Sequence, residues 1–519
     1  MRLSDYLDKG ASIDVDAACL TTDGETLNYG QVQTLSVRIA AGLAARGVGP
    51  GDKVAIISSN DPFAFTCVFG ISRLGAVWCP INPRNEAEEN RELLELSDCT
   101  AVFFAGAYSQ LVNTIRAELP LVHSWVCLDQ DHDDALGWDE FLDGGDGRDP
   151  GGAPVDDLAM VVGTGGTTGK PKGVMLTNHN LETMTAITLM SYPFTRTPVY
   201  LAMAPLTHAA GVLCFPILAL GGEIVIMRSA DVGQFLSNVE AHRVTHSFLP
   251  PTIVYMILAD AGLDSTDLSS LECLWYGAAP MSPVRLEEAV ERIGPVMGQL
   301  FGQTEAPMMI STLSPRDHFL PNGDVATDRL GSAGRPSPLC TVAVMDPEGA
   351  LLPRGERGEI VVRGSLVMTG YYKNPEATEE ATRFGWHHTG DIGYLDEDDY
   401  LFVVDRAKDM IITGGFNVYS TEVEQALLSH PDVQDCAVIG LPDDHWGEKV
   451  TAVVQLRRDG EVTVEDLRDY VKGRIGSVKA PKLIEAWSDL PRSKVGKVLK
   501  VDIRDEMLRE GRSVTRPGG

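Results

Sequence analysis

The stretch 160-MVVGTGGTTGKPKGVMLTNHN-180 sets an apolar run against a turn rich in glycine, threonine and lysine. Residues 164–173 hold four glycines, three threonines and two lysines, too many for an ordinary connection. Glycine lets the backbone take unusual φ values and approach a ligand closely. Such a turn after a strand can therefore offer successive N–H groups to phosphate oxygens. Lys172, with Lys170, adds positive charge, and Thr164, Thr167 and Thr168 add hydroxyl donors. The spacing is not that of a Walker A loop, because Gly165 to Gly169 is one residue short and Pro171 follows Lys170. Without further context, a plain surface loop is the alternative.

Outward from this turn the chain reads as α/β. QVQTLSVRIAAGLAARGV (31–48) has apolar residues three and four apart and stops at Gly47, which predicts a helix with a glycine end. KVAIIS, AVWCPI, AVFFAG and HSWVCLD are short apolar runs bounded by turn residues, like buried parallel strands. The acidic, Gly-rich segment 129–156 predicts a surface connection. Alternation resumes between 198 and 305 with YLAMAP, EIVIM, HSFLP and LECLWYG, the pattern of a layered α/β fold. From about 330 to 405, CTVAVMD, GEIVVRG and YLFVVDR are separated by Gly, Pro and Asp turns, which predicts a small β-rich subdomain. After RAKDM, two helical patterns and three apolar strands predict a separate α+β unit. The expected division is a large N-terminal domain, 1–407, and a smaller C-terminal domain, 408–519.

With 43 basic and 73 acidic residues the net charge is −30, and no long basic run interrupts it. Nucleic acid is repelled by such a surface, so an anionic ligand needs a local basic pocket. No run reaches the roughly 18 apolar residues of a membrane span. The N-terminal MRLSDYLDKGASIDVDA lacks the apolar core of a signal peptide, and SVTRPGG carries no lipid or peroxisomal address. Nine scattered cysteines without C-x-x-C predict neither a disulfide frame nor a zinc site. The cytoplasm is the expected location, and a homodimer is left open.

The loop 164-TGGTTGKPKGV-174 resembles the phosphate loop of the adenylate-forming superfamily: acyl-CoA synthetases, aryl-CoA ligases, luciferases and peptide-synthetase adenylation domains. The usual family form is Ser-Gly-Thr-Thr-Gly-x-Pro-Lys-Gly, and Gly165 stands where serine is common. In family order follow 204-APLTHAAG-211, 276-YGAAP-280, 299-QLFGQTE-305, 387-HHTGDIGYLDEDDYLFVVDRAKDMIITGGFNVYSTEVE-424 and 490-LPRSKVGKVLK-500. By these six blocks the chain is identified as a member, on the acid–CoA ligase branch.

The chemistry implied is attack of a carboxylate on the α-phosphate of ATP. Two anions must be neutralised and held in line. The resemblance implies that Thr164, Gly165, Gly166, Thr167, Thr168 and Lys172 cradle phosphates, that Thr304 contacts the α-phosphate, and that Glu305 holds Mg²⁺. A helix cap is the structural alternative for the Thr304–Glu305 pair. Gly277, Ala278 and Ala279 resemble the backbone shelf for adenine, with Phe301 stacking on the purine and Gly302 and Gln303 continuing the nucleotide wall. Asp391 fits the carboxylate that accepts the ribose hydroxyls, supported by Arg406. Lys497 matches the lysine that reaches the reacting phosphate.

In this family a small domain presents that lysine first. It then rotates about a hinge, expected at Lys408, so that Gly414, Gly415, Phe416 and Asn417 line a tunnel for the pantetheine thiol of CoA. Lys479 and Lys482 are candidates for CoA phosphates. His208 is the expected gate of the acid pocket, whose walls come from 203–211, 250–254, Tyr276, Gln299 to Gln303 and Gly331 to 334. LAMAPLTH (201–208) carries no acidic residue to bind a substrate amine, so an acid with an apolar tail, fatty or aryl, is expected rather than an amino acid. Free CoA is the expected acceptor, since no carrier domain is seen in the chain. A carrier-protein phosphopantetheine or another nucleophile is the alternative. A nucleotide-binding homologue without turnover rests on Gly165 alone, and the Thr304, Glu305, Asp391 and Lys497 set argues against it.

Overall fold

A computed structural model describes residues 1–145, 147, 158–164, 171–206, 209–443, 446–457, 462–492 and 498–509. The four runs read as buried strands form Lys53–Ile57, Val77–Ile81, Cys99–Phe104 and Ser124–Cys127, paired in parallel within a seven-stranded sheet. Helices cover both faces of a parallel sheet, which is why these strands are continuous apolar runs rather than alternating ones. The helix foreseen before them spans Tyr29–Ala45. Asn28 and Gln31 cap it reciprocally, and Gly47 leaves it at φ 81°.

The second large sheet has nine strands. Val199–Ala202, Glu223–Ile226, His246–Leu249, Cys273–Tyr276 and Met297–Gln303 run parallel at its centre, and Ala306–Leu313 turns back antiparallel. The β-rich stretch forms an antiparallel sheet of Cys340–Met345, Gly358–Gly364, His387–Leu395 and Leu401–Arg406. It is less self-contained than expected. Gly370–Tyr371 pairs with Lys172–Thr177 in the seven-stranded sheet, and Arg335–Pro336 extends the nine-stranded one. Part of the expected surface connection also proves structural. Trp138–Asp143 is helical, with Phe141 buried edge-on against Phe103 at 5.2 Å.

The smaller C-terminal part follows the foreseen order: helix Ser420–Leu428, strands Val433–Asp443 and Gly447–Leu456, helix Val464–Ile475, strand Leu483–Ala486. Val423, Leu427, Val438, Val450 and Leu467 form a core of their own. A hairpin of Ile411–Thr413 and Phe416–Val418 and a last helix, Lys500–Arg509, were not foreseen. The helix docks through Ile503 and Met507. Among the described residues no helix is long and apolar enough to cross a membrane.

Candidate active site

The glycine-rich turn joins two antiparallel strands, Leu158–Thr164 and Lys172–Thr177, with Thr164 opposite Lys172. Its tip, with Gly165, Gly166, Thr167 and Thr168, lies outside the described residues. Its base is well defined. The Thr164 hydroxyl donates to the Lys172 carbonyl at 3.4 Å, and the Lys172 ammonium lies 4.8 Å from the centre of the Tyr371 ring. The Tyr371 hydroxyl in turn donates to Glu305 Oε1 at 2.8 Å. Burial, with the Glu305 charge beside it, raises the Tyr371 pKa, so the phenol stays protonated as a donor.

Thr304 and Glu305 are not a helix cap. They form the two-residue tip of a hairpin in which Gln303 pairs with Ala306. A bulge between Phe301 and Gln303 sharpens it, and Met308 takes φ 63°. Gly302 is needed inside this bulge, because a Cβ there would come within 2.5 Å of the Met308 backbone. The Glu305 carbonyl accepts from the Met368 N–H at 2.7 Å, which ties the tip to the segment carrying Tyr371.

Gln303 links this hairpin to the strand His387–Leu395. Its amide N–H₂ donates to the Thr389 carbonyl at 3.1 Å and reaches Asp391 Oδ2 at 3.4 Å. Its oxygen lies 2.9 Å from His387 Nε2, so that ring nitrogen carries the hydrogen. Burial pushes the His387 pKa down against the pull of Glu305, which favours the neutral ring. Asp391 is 4% exposed, and its Oδ1 is 2.7 Å from Arg406 Nε across the paired strands. The carboxylate is thus held from the side, by a cation and an amide.

The segment Gly277–Ala279, expected to receive adenine, is strained. Ala278 sits at φ 67°, a left-handed conformation that costs an alanine about 1 kcal/mol or more. Gly277 has no room for a Cβ, which would meet the Leu300 carbonyl at 2.4 Å. Phe301 packs against the main core while staying half-buried. Tyr276 and Gln299, expected to line the acid pocket, are register partners on neighbouring parallel strands. The Gln299 carbonyl accepts from the Tyr192 hydroxyl. At Gly331 a Cβ would meet only Pro283, 3.7 Å away.

Beyond Arg406 the chain turns through Lys408, which is exposed, before entering the C-terminal sheet. Asp405, one residue before Arg406, points the other way. It accepts from the Ser420 N–H and from the Ser420 hydroxyl at 2.9 Å, and Lys500 donates to that hydroxyl at 2.6 Å and pairs with Glu424 at 2.8 Å. Gly414 and Gly415, at φ 57° and 81°, form the tip of the small hairpin. Lys479 is engaged by Glu422, and Lys482 lies over Trp446 at 5.5 Å. His208 and Lys497 lie outside the described residues.

Sequence reasoning missed Tyr371, His387 and Asp405. Tyr371 carried a signal, an aromatic pair in TGYYKNPEAT between a glycine and a turn. His387 and Asp405 stood inside quoted motifs without a role.

Fold and site define an adenylate-forming enzyme. Residues 7–372 match the AMP-binding enzyme family, and 422–497 match the AMP-binding enzyme C-terminal domain. A feruloyl-CoA synthase of Amycolatopsis sp is 36% identical over 95% of this chain and 96% of its own. A medium/long-chain-fatty-acid–CoA ligase of Mycobacterium tuberculosis is 41% identical over 68% of this chain, a match that spans 62% of that relative's length. The amide bond synthetase McbA from Marinactinospora thermotolerans superposes with a TM-score of 0.88 at 29% identity, over 97% of this chain and 99% of that one. The chain belongs to the AMP-binding enzyme family. It is an enzyme of the acid–thiol ligase class.

Proposed function

We propose that this protein is an ATP-dependent acid–CoA ligase. It activates a carboxylic acid with an apolar tail, fatty or aryl, as acyl-AMP with release of pyrophosphate, then passes the acyl group to the thiol of CoA. The observation that carries this reading is Gln303, one amide that joins the Thr304–Glu305 hairpin to Asp391. It sets a carboxylate suited to ribose hydroxyls and a carboxylate suited to a metal on two sides of one cleft.

The residues divide the work as follows. Asp391, paired with Arg406, accepts the ribose hydroxyls. Gly277, Ala278 and Ala279 receive the adenine edge and Phe301 its face. Lys172 and the glycine turn hold the β- and γ-phosphates, and Thr304 the α-phosphate. Glu305 would hold Mg²⁺. Its Oε1 accepts from Tyr371, and a single protein carboxylate completed by phosphate oxygens suits an ion that keeps most of its shell outside the protein. Bound there, the ion supplies neutralising charge at the phosphates. The tail of the acid lies along Tyr276, Gln299 and Gly331 behind His208. Lys497, carried by the C-terminal part, adds the final positive charge for the first half-reaction. The domain boundary falls at 407/408, and rotation about Lys408 brings Gly414 and Gly415 to the cleft for the second.

The test separates the two half-reactions. Lys497→Ala should cut acid-dependent pyrophosphate release by on the order of 10²-fold or more, as loss of a charge contact to the reacting centre does. Thioester formation from prepared acyl-AMP should fall far less. Equal loss in both steps would remove the domain-alternation reading. Pyrophosphate release that proceeds with an acid but yields no thioester with CoA would move the acceptor to a carrier-protein thiol or another nucleophile.

A further inference from the structure

We infer that His318 sets the hydrogen-bond polarity of the acid pocket: acting through Tyr276, it turns the Gln299 carboxamide oxygen toward the substrate, so the favoured acids carry a hydrogen-bond donor on the tail. This rests on the ligase reading above and adds tail chemistry to it. His318 is a positioning residue here, since it touches the substrate only through two others.

The argument follows the hydrogens one at a time. His318 ends the 3-10 turn Pro315–His318 that follows the strand Ala306–Leu313, and it is fully buried. Its Nδ1 lies 2.9 Å from the Ser314 carbonyl oxygen. A carbonyl only accepts, so Nδ1 carries the hydrogen. Burial pushes the His318 pKa down to about 4, so at neutral pH the ring is neutral and Nε2 presents a lone pair. That nitrogen lies 3.0 Å from the Tyr276 hydroxyl. The phenol therefore donates its single hydrogen to His318.

Tyr276 now has only lone pairs left. The nearest end of the Gln299 carboxamide, the position of Oε1, is 3.3 Å from the phenol oxygen. An oxygen there would put two acceptors face to face. The amide is nearly isosteric about its last bond, so a half-turn brings NH₂ to the phenol at little packing cost. The carboxamide oxygen then takes the other end of the group. Tyr276 is fully buried, whereas Gln299, its register partner, is half-buried, so that other end lies on the open side. The Gln299 backbone is fixed by the Tyr192 hydroxyl and by both neighbouring strands, which leaves the amide little freedom to move away. In the acid pocket that the ligase reading places here, a bare acceptor stays unpaired with a plain hydrocarbon tail. It is satisfied by a phenol or a ring N–H, and sites of this kind discriminate strongly because the unmatched polar group is left buried.

The experiment uses matched phenolic acids: an aryl acid, its para-hydroxy form and its para-methoxy form. Relative kcat/KM in ATP-dependent pyrophosphate release is the readout, with calorimetric binding of the same three acids as a second. Wild type should favour the hydroxy acid over both others by about tenfold, the worth of roughly one hydrogen bond. In His318→Phe the phenol hydrogen is released to Gln299, the amide turns back, and the hydroxy/methoxy ratio should fall to one or invert. Tyr276→Phe conserves volume and should also erase the ratio, so the inference survives if His318→Phe fails to fold. An unchanged ratio in either folded variant, or no preference for the hydroxy acid in wild type, overturns it. If no acid supports pyrophosphate release, the ligase reading fails, and the binding ratio alone then decides the polarity of the pocket.

Discussion

The wall around Asp391 and the hairpin around Gly415 are built in opposite ways. At the wall, groups from three sheets meet in one chain of contacts: Lys172 on Tyr371, Tyr371 to Glu305, Gln303 to His387 and Asp391, Asp391 to Arg406. At the hairpin, two left-handed glycines make a two-residue turn between Thr413 and Phe416, while Ile412 and Phe416 are 53% and 59% exposed. Trp446 packs under Gly414 and is itself exposed. The groups of the wall are tied to one another by direct contacts. The hairpin keeps apolar surface in water, which a protein retains where something else comes to cover it. A site that must stabilise charge gains from rigidity, and a face that must dock and leave gains from independence.

The largest expected effect is at the wall. Asp391→Asn keeps the shape but leaves Arg406 without its anion and, on the proposed reading, the ribose hydroxyls without a charged acceptor. Adenylation kcat/KM for ATP should fall about 10³-fold, since hydrogen bonds to a charged group contribute about 1.5–3 kcal/mol each and two are weakened. A loss below threefold would mean the wall is no more preorganised than the hairpin.

Acid should also separate the two regions. His246 and His318, both in the large N-terminal part, are pushed by burial from an ordinary value near 6.5 to about 4. Below pH 6.5 the unfolded chain takes up protons that the native histidines refuse, so stability falls with falling pH until the native groups titrate near 4. By pH 5 each contributes about 2 kcal/mol of loss. Denaturant unfolding at pH 7 and pH 5, followed by tryptophan emission, should show the large part shifting to lower denaturant. In His318→Phe the shift should shrink, and an undiminished shift would remove that residue from the account.

The smallest effect belongs to the hairpin. Gly415→Ala forces a Cβ onto φ 81°, a cost of roughly 1 kcal/mol confined to the turn. Thioester formation from acyl-AMP should drop more than pyrophosphate release does. Equal decreases would show that hairpin and wall respond as one unit.

Much of this molecule was legible in its sequence, for local reasons. Apolar runs of four to six residues announced the parallel strands, and Gly47 marked the end of a helix whose start, capped by Asn28 and Gln31, the structure supplied. The motifs carrying Glu305, Asp391 and Arg406 named groups that the structure brings together through Gln303 and Tyr371, because each motif is a short-range chemical requirement. The helix Trp138–Asp143 escaped because charge and glycine around it masked two buried residues, Phe141 and Leu142. The Thr304–Glu305 pair had a helix cap as its structural alternative, and only the return of Ala306–Leu313 alongside Met297–Gln303 made it a hairpin tip. Tyr371 meets Glu305 across 66 residues of chain, His387 meets Gln303 across 84, and His318 meets Tyr276 across 42. Sequence by itself determined most of the elements and which acids, bases and cations are available, since propensity and motif act over a few residues. The tertiary structure alone decided who donates to whom, because a hydrogen bond requires a heavy-atom separation of about 3 Å, and sheet register and packing set that separation between distant parts of the chain.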